Sequence, residues 1–218
     1  MRAGKHPNYD KHMAPQNESE LISFHASQVL RPFAASDFSK NLKVLFSIWR
    51  WQNRFDFNFI LNGATPDDLN HVVLPEVVSP NMRERRDELW KTTCLEFFFG
   101  AKDKKNYYEM NLSPSGNWNL YAFDAYRSGM RPATGAEIAL IKVERSVKED
   151  TIIWQGSLRP TASTENDPTS LLTSGGGGLV MGAAVVMEYN TGDKDYWALA
   201  HAGRKPDFHL RESFRLAL

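Results

Sequence analysis

Along most of this chain apolar residues recur at every second position, in short runs broken by turn-forming residues, which is the periodicity of half-buried strands. Ile22, Phe24 and Ala26 alternate with Ser23, His25 and Ser27, and the run 42–50 is apolar and rich in strand formers. Phe55, Phe57, Phe59 and Leu61 alternate with Asp56, Asn58 and Asn62, and residues 51–54 between these two runs have the length of a hairpin turn. Residues 64–90 break the pattern with three prolines and a charged cluster at 82–88, a long loop of the kind that is functional or disordered. Three strands then follow closely, at 92–99, 107–112 and 118–123, separated by turn chemistry at 101–105 and 113–116. They predict a meander of antiparallel neighbours. Further strands are expected at 137–145, 151–158, 180–189, 196–201 and 208–216. A Pro/Ser/Thr-rich loop at 160–178, with a helical turn near 168–172, ends in four glycines.

About ten short strands without an amphipathic helix predict an all-β antiparallel sandwich or barrel. Residues 1–20 are polar, hold two prolines and lack periodicity, which reads as a flexible N-terminal arm ahead of a single domain at 21–218. Composition narrows the function. The chain has 26 basic and 26 acidic residues, without the cationic excess on which phosphate binding rests, so nucleic acid is not the expected partner. No apolar run is long enough for a membrane helix and no secretory h-region is visible, so a soluble, cytoplasmic protein is expected. A single cysteine, Cys94, excludes an internal disulfide and any zinc site built on several thiolates. Aromatics make up 12% of the chain, a share that suits strands and ring-shaped ligands.

Established catalytic motifs are missing. There is no G-x-S-x-G, H-E-x-x-H or phosphate-loop signature, and the tetraglycine at 175–178 lacks the Lys-Ser/Thr ending of a phosphate cradle. The six histidines are scattered, and neither a metal nor a cofactor is expected. A chain with 26 acids offers many acid pairs, of which Glu96 and Glu109 are the candidates for a glycan-active enzyme.

The meander carries the more pointed signal. Alternation puts Leu95, Phe97 and Phe99 on one face of its first strand and Cys94, Glu96 and Phe98 on the other. In the second strand Tyr108, Met110 and Leu112 oppose Tyr107, Glu109 and Asn111, and in the third Trp118, Leu120 and Ala122 oppose Asn117, Asn119 and Tyr121. Paired as neighbours, the three strands would gather Glu96, Glu109 or Asn111, and Asn119 on one polar face. Carboxylates and amides there would bond adjacent hydroxyls, and Trp90 or Trp197 would wall a sugar ring. Arg127 and Arg131, directly after the meander, would meet an anionic substituent or pair with the glutamates. An ordinary solvated sheet face would leave the same pattern.

The strings LWKTTCLEFF at 89–98, YEMNLSPSGNW at 108–118 and FDAYRSGM at 123–130, with YWALAH at 196–201 and KPDFH at 205–209, resemble the bacterial DOMON-like domains, relatives of the family-nine carbohydrate-binding modules. The resemblance runs from about Leu21 onward and implies a β-sandwich of immunoglobulin-like architecture. It also implies a non-catalytic domain holding a carbohydrate or similar small polar ligand between two tryptophans, with a strand-borne Glu, amides and an Arg on the hydroxyls. Trp90 and Glu96 are similar to the first half of such a site and Trp197 to its second wall, so Trp90, Glu96, Asn111, Asn119, Arg127 and Trp197 are the expected ligand contacts. Other DOMON domains bind b-type haem through Met and His. Met110 with His201 or His209 would be that set here, although alternation puts Met110 on the apolar face.

Overall fold

In the computed structural model, residues 24–51, 54–133, 138–160 and 178–217 are described. The expected arm at 1–20, the helical turn at 168–172 and most of the tetraglycine lie outside them. Twelve strands account for most of the described residues: β1 (Phe24–Pro32), β2 (Leu42–Arg50), β3 (Phe55–Gly63), β4 (Cys94–Ala101), β5 (Tyr107–Leu112), β6 (Trp118–Phe123), β7 (Arg131–Pro132), β8 (Ile138–Lys148), β9 (Thr151–Pro160), β10 (Leu179–Glu188), β11 (Lys194–Ala198) and β12 (Leu216–Ala217). One short helix, α1 (Pro66–Leu69), is closed by a Thr65–Asp68 capping box. Among the described residues no helix is long and apolar enough to cross a membrane.

The strands join into one strongly curled antiparallel sheet in the order β7-β6-β5-β4-β10-β11-β1-β2-β3-β9-β8, with β12 added beside β10. Two wings meet at a narrow joint, where only Arg31 and Pro32 at the end of β1 pair with Ala198 and Trp197 of β11. The curl turns the inner faces of the wings toward each other. Phe97 of β4 lies 5.0 Å from Phe57 and 6.3 Å from Phe46, ring centre to ring centre, so rings from both wings share one core. Leu95, Phe97, Phe99, Tyr108, Met110, Leu112 and Leu120 all point into it, on the side that alternation assigns them.

The outer face of the β11–β6 wing is buried as well. Cys94, Phe98, Tyr107, Tyr121, Phe123 and Ala184 form a second apolar cluster there, under a cover supplied by residues 201–214. A strand expected at 208–216 is therefore corrected: Arg211–Ser213 is a 3-10 turn, and only Leu216 and Ala217 pair with β10. The reason is that this segment lies across the wing instead of beside it. Phe214 packs on Phe98 and Tyr107, and Gly182 of β10 lets it approach, since a Cβ there would meet the Phe214 ring at 3.2 Å. The long segment 64–90 is an ordered strap, tied to strand ends and the meander by Val73 N–H to Glu188 O, Val78 N–H to Ser115 O and Arg86 N–H to Trp118 O.

Replacing Phe97 by Ala removes the ring that both wings share, with an expected cost of about 3–5 kcal/mol. Urea unfolding should show the midpoint falling at constant m. A loss below about 1 kcal/mol would mean that the wings do not depend on a common core.

Candidate ligand-binding site

Strand register builds the floor of a cavity on this outer face. Glu96 of β4 stands opposite Asn111 of β5 on one side and Ala184 of β10 on the other, and Asn111 stands opposite Asn119 of β6. The next row carries Tyr121, Glu109 and Phe98. Small residues, Ala184 and its partner Ala198, leave depth beside Glu96. A cavity of about 350 Å³ results, and Trp90, Glu96, Glu109, Phe123, Arg127, Met130, Val186, Tyr196, Pro206, Phe208 and His209 line it. That volume lies at the lower end for small-molecule pockets.

Three segments that are not strands complete the walls. The strap brings Trp90, seated edge-on against Tyr121 at 5.7 Å. It is fixed by Asn119, whose Oδ1 accepts from Arg85 Nε at 3.0 Å and whose Nδ2 donates to Asp87 at 2.9 Å. Tyr121 donates to the same Asp87 oxygen at 2.6 Å. The turn after β6 brings Arg127, held in the left-handed region at φ 48°. Gly129 in that turn is required, because a Cβ there would fall 2.1 Å from Asp124 Oδ2. The segment after β11 brings Phe208 and His209. Asp207 clasps these last two segments together, accepting from Tyr126 Oη at 2.5 Å and Arg127 Nη2 at 3.0 Å.

The electrostatics are set by desolvation. Glu96 is 3% exposed and its Oε1 has no hydrogen-bond partner. Burial, and then the neighbouring Glu109, push its carboxyl well above the usual range. Burial also raises Glu109, to about 7, against the opposing pull of the Asn111 amide, which donates to its Oε1 at 2.8 Å, and of Arg127. Cys94, at the foot of the same strand, is raised by burial into an inert thiol. Tyr107, raised to about 12 by burial, keeps its proton and shares a 2.8 Å hydrogen bond with His209 Nδ1. Burial first and Arg127 second lower His209 to about 4, so its ring is neutral near pH 7, with Nε2 3.8 Å from Glu109 Oε2.

Of the expected ligand contacts, Trp90, Glu96 and Arg127 come together at the cavity. Asn111 lies beneath it, oriented on Glu109, and Asn119 is spent on the strap. Arg131, at the edge strand β7, does not line it. Trp197 is a correction: it pairs with Val185 and lies in the inner core, and its neighbour Tyr196 is the residue of β11 that reaches the cavity. With two adjacent aromatics in 196–197, alternation alone could not say which faced out. The haem set is also separated. Met110 sits in the inner core while His209 lies on the outer face, and His201 holds the Arg31 carbonyl at 2.8 Å near the joint. Phe208 and Pro206 escaped sequence reading because their segment looked strand-like from 208 onward. Among the described residues no group of three or more His, Cys, Asp and Glu is placed to hold a metal.

The Glu109 carboxyl carries a pH signature. Its folded-state value of about 7 exceeds the ordinary 4.5, so the native state binds the proton more tightly than the unfolded chain does. Stability from this group is therefore complete below about pH 4.5 and is lost as pH rises through 7. Glu109→Gln should stabilise the protein by about 3 kcal/mol at pH 8 and by nothing at pH 4, read from denaturation at the two pH values. An equal effect at both would show that the carboxyl ionises as freely as in water.

No family model and no curated protein matches the chain. Among solved structures it is similar to that of a "putative carbohydrate-binding protein" from Bacteroides uniformis ATCC 8492, with 15% identity and a TM-score of 0.52 over 87% of this chain and 84% of that one. This likeness shows a shared all-β fold.

Proposed function

We propose that the chain is a non-catalytic binding domain for a carbohydrate or similar small hydroxylated ligand, a DOMON-like β-sandwich related to the family-nine carbohydrate-binding modules. The observation that carries this reading is the Glu96 carboxyl, buried at the floor of the cavity with one oxygen lacking any partner. A buried acceptor without a donor costs stability, and a ligand hydroxyl reaching the floor would supply the donor. Trp90, Tyr196 and Phe208 offer the apolar walls that the C–H faces of a sugar ring pack against. The description of the structural neighbour as carbohydrate-binding agrees with this chemistry.

Glu96 and Glu109 stand on adjacent strands of one floor, so an enzymatic use of this acid pair is the reading to be tested beside binding. Turnover of any chromogenic glycoside that is lost in Glu96→Gln would replace the binding reading with an enzymatic one.

Calorimetry on ligands found by a glycan array tests the proposal. Trp90→Ala should weaken binding about tenfold or more while leaving the melting temperature nearly unchanged, because this ring is only half-buried. Absence of any glycan binding by the unmodified protein would end the proposal.

A further inference from the structure

The titratable groups at the cavity narrow the ligand. Two acids, Glu96 and Glu109, line it, with a single cation, Arg127. Asp207 already holds Arg127 through a 3.0 Å ion pair and takes the Tyr126 hydroxyl at 2.5 Å. Glu96 and Glu109 are left with no positive charge of their own. No lysine lines the cavity, and burial keeps His209 a neutral ring. The floor thus holds two carboxyls, one with an unpartnered oxygen, beneath aromatic rings.

From this arrangement we infer that the site prefers a ligand bearing a protonated amine, an amino sugar over its neutral or N-acetylated counterpart, with the ammonium seated between Glu96 and Glu109. The inference rests on the carbohydrate reading and deepens it. An ammonium brings three donors, enough to meet the free oxygen of Glu96 and still reach Glu109. Trp90 and Tyr196 add aromatic rings to the lining, and such rings attract a cation in a desolvated site. A neutral hydroxyl would bring a single donor to the free oxygen and displace no proton.

Binding is then coupled to protons. In the free site the pair is held largely protonated by burial, against the weaker pull of the Cys94 thiol on Glu96, of the Asn111 amide on Glu109 and of Arg127 on both. The other titratable neighbours do not take up the charge: Cys94 on β4 is inert, Tyr107 keeps its proton, Tyr121 is raised by burial and by Asp87, and Asp207 is engaged. When the ammonium enters, a carboxyl O–H bond breaks, the proton leaves to solvent, and an ammonium–carboxylate pair takes its place. Affinity for the amine should therefore rise with pH from 5 toward 7.

The test is titration calorimetry of the unmodified chain with glucosamine, galactosamine and mannosamine, their parent hexoses, their N-acetyl derivatives and cyclohexylamine, at about pH 6.5 in two buffers of different ionisation enthalpy. One amino sugar should bind about tenfold or more tighter than both of its counterparts, with release of about one proton per site. Glu96→Gln and Glu109→Gln should each abolish that preference yet still bind the parent hexose. Equal or tighter binding of the neutral sugars without proton release overturns the amine preference and leaves the carbohydrate reading standing. Binding of cyclohexylamine alone, with proton release, overturns the carbohydrate reading and keeps the amine site. No binding by any probe overturns both.

Discussion

A sheet wing buried on both faces cannot leave polar side chains to water, and this constraint organises the β11–β6 half of the molecule. Its inner face packs into the shared aromatic core, and its outer face is covered by the strap, the turn after β6 and residues 201–214. Every amide and carboxyl on the outer face must be matched by the protein or left in deficit. Asn119 and Asn111 are matched, by Arg85 and Asp87 in one case and by Glu109 and Cys94 in the other. Glu96 is not.

The walls follow the same logic from the opposite direction. Segments that carry no regular structure hold the contact groups, while the strands beneath fix where those segments can sit. Asn119 acts at a distance: by holding Arg85 and Asp87 it sets the path of the strap and so the seat of Trp90. Arg127 is similar, since its left-handed backbone aims the guanidinium at Asp207 and its N–H at the Tyr107 hydroxyl, 3.3 Å away. Non-glycine residues in that region are costly and cluster where geometry is functional.

Much of this was legible in the sequence. Period-two alternation put Glu96, Glu109, Asn111 and Tyr121 on one face and Phe97, Met110 and Leu120 on the other, because strand parity is strict within a continuous run. Neighbouring strands in a meander pair in sequence order, so Glu96, Glu109 or Asn111, and Asn119 followed as one face, whereas the register that sets Asn111 between Glu96 and Asn119 did not. What parity cannot give is depth. It does not say that the polar face is roofed, and so it could not separate Asn119, consumed by the strap, from Glu96, left open. Trp197 and Tyr196 were exchanged for a related reason: where both residues of a pair are aromatic, hydrophobicity no longer distinguishes inside from outside. The segment from Phe208 onward carries the apolar spacing of a strand but spends it as a cover, with its rings directed down onto a sheet.

The cover also comes late in the chain. Residues 206–214 follow β4, β5, β6, β10 and β11, so during synthesis the floor emerges while its roof is still unmade. In the unfolded chain Glu96 and Glu109 are hydrated and ionise like ordinary carboxylates. Burial beneath the covered face raises both, so near neutral pH folding as a whole draws hydrogen ions out of its surroundings.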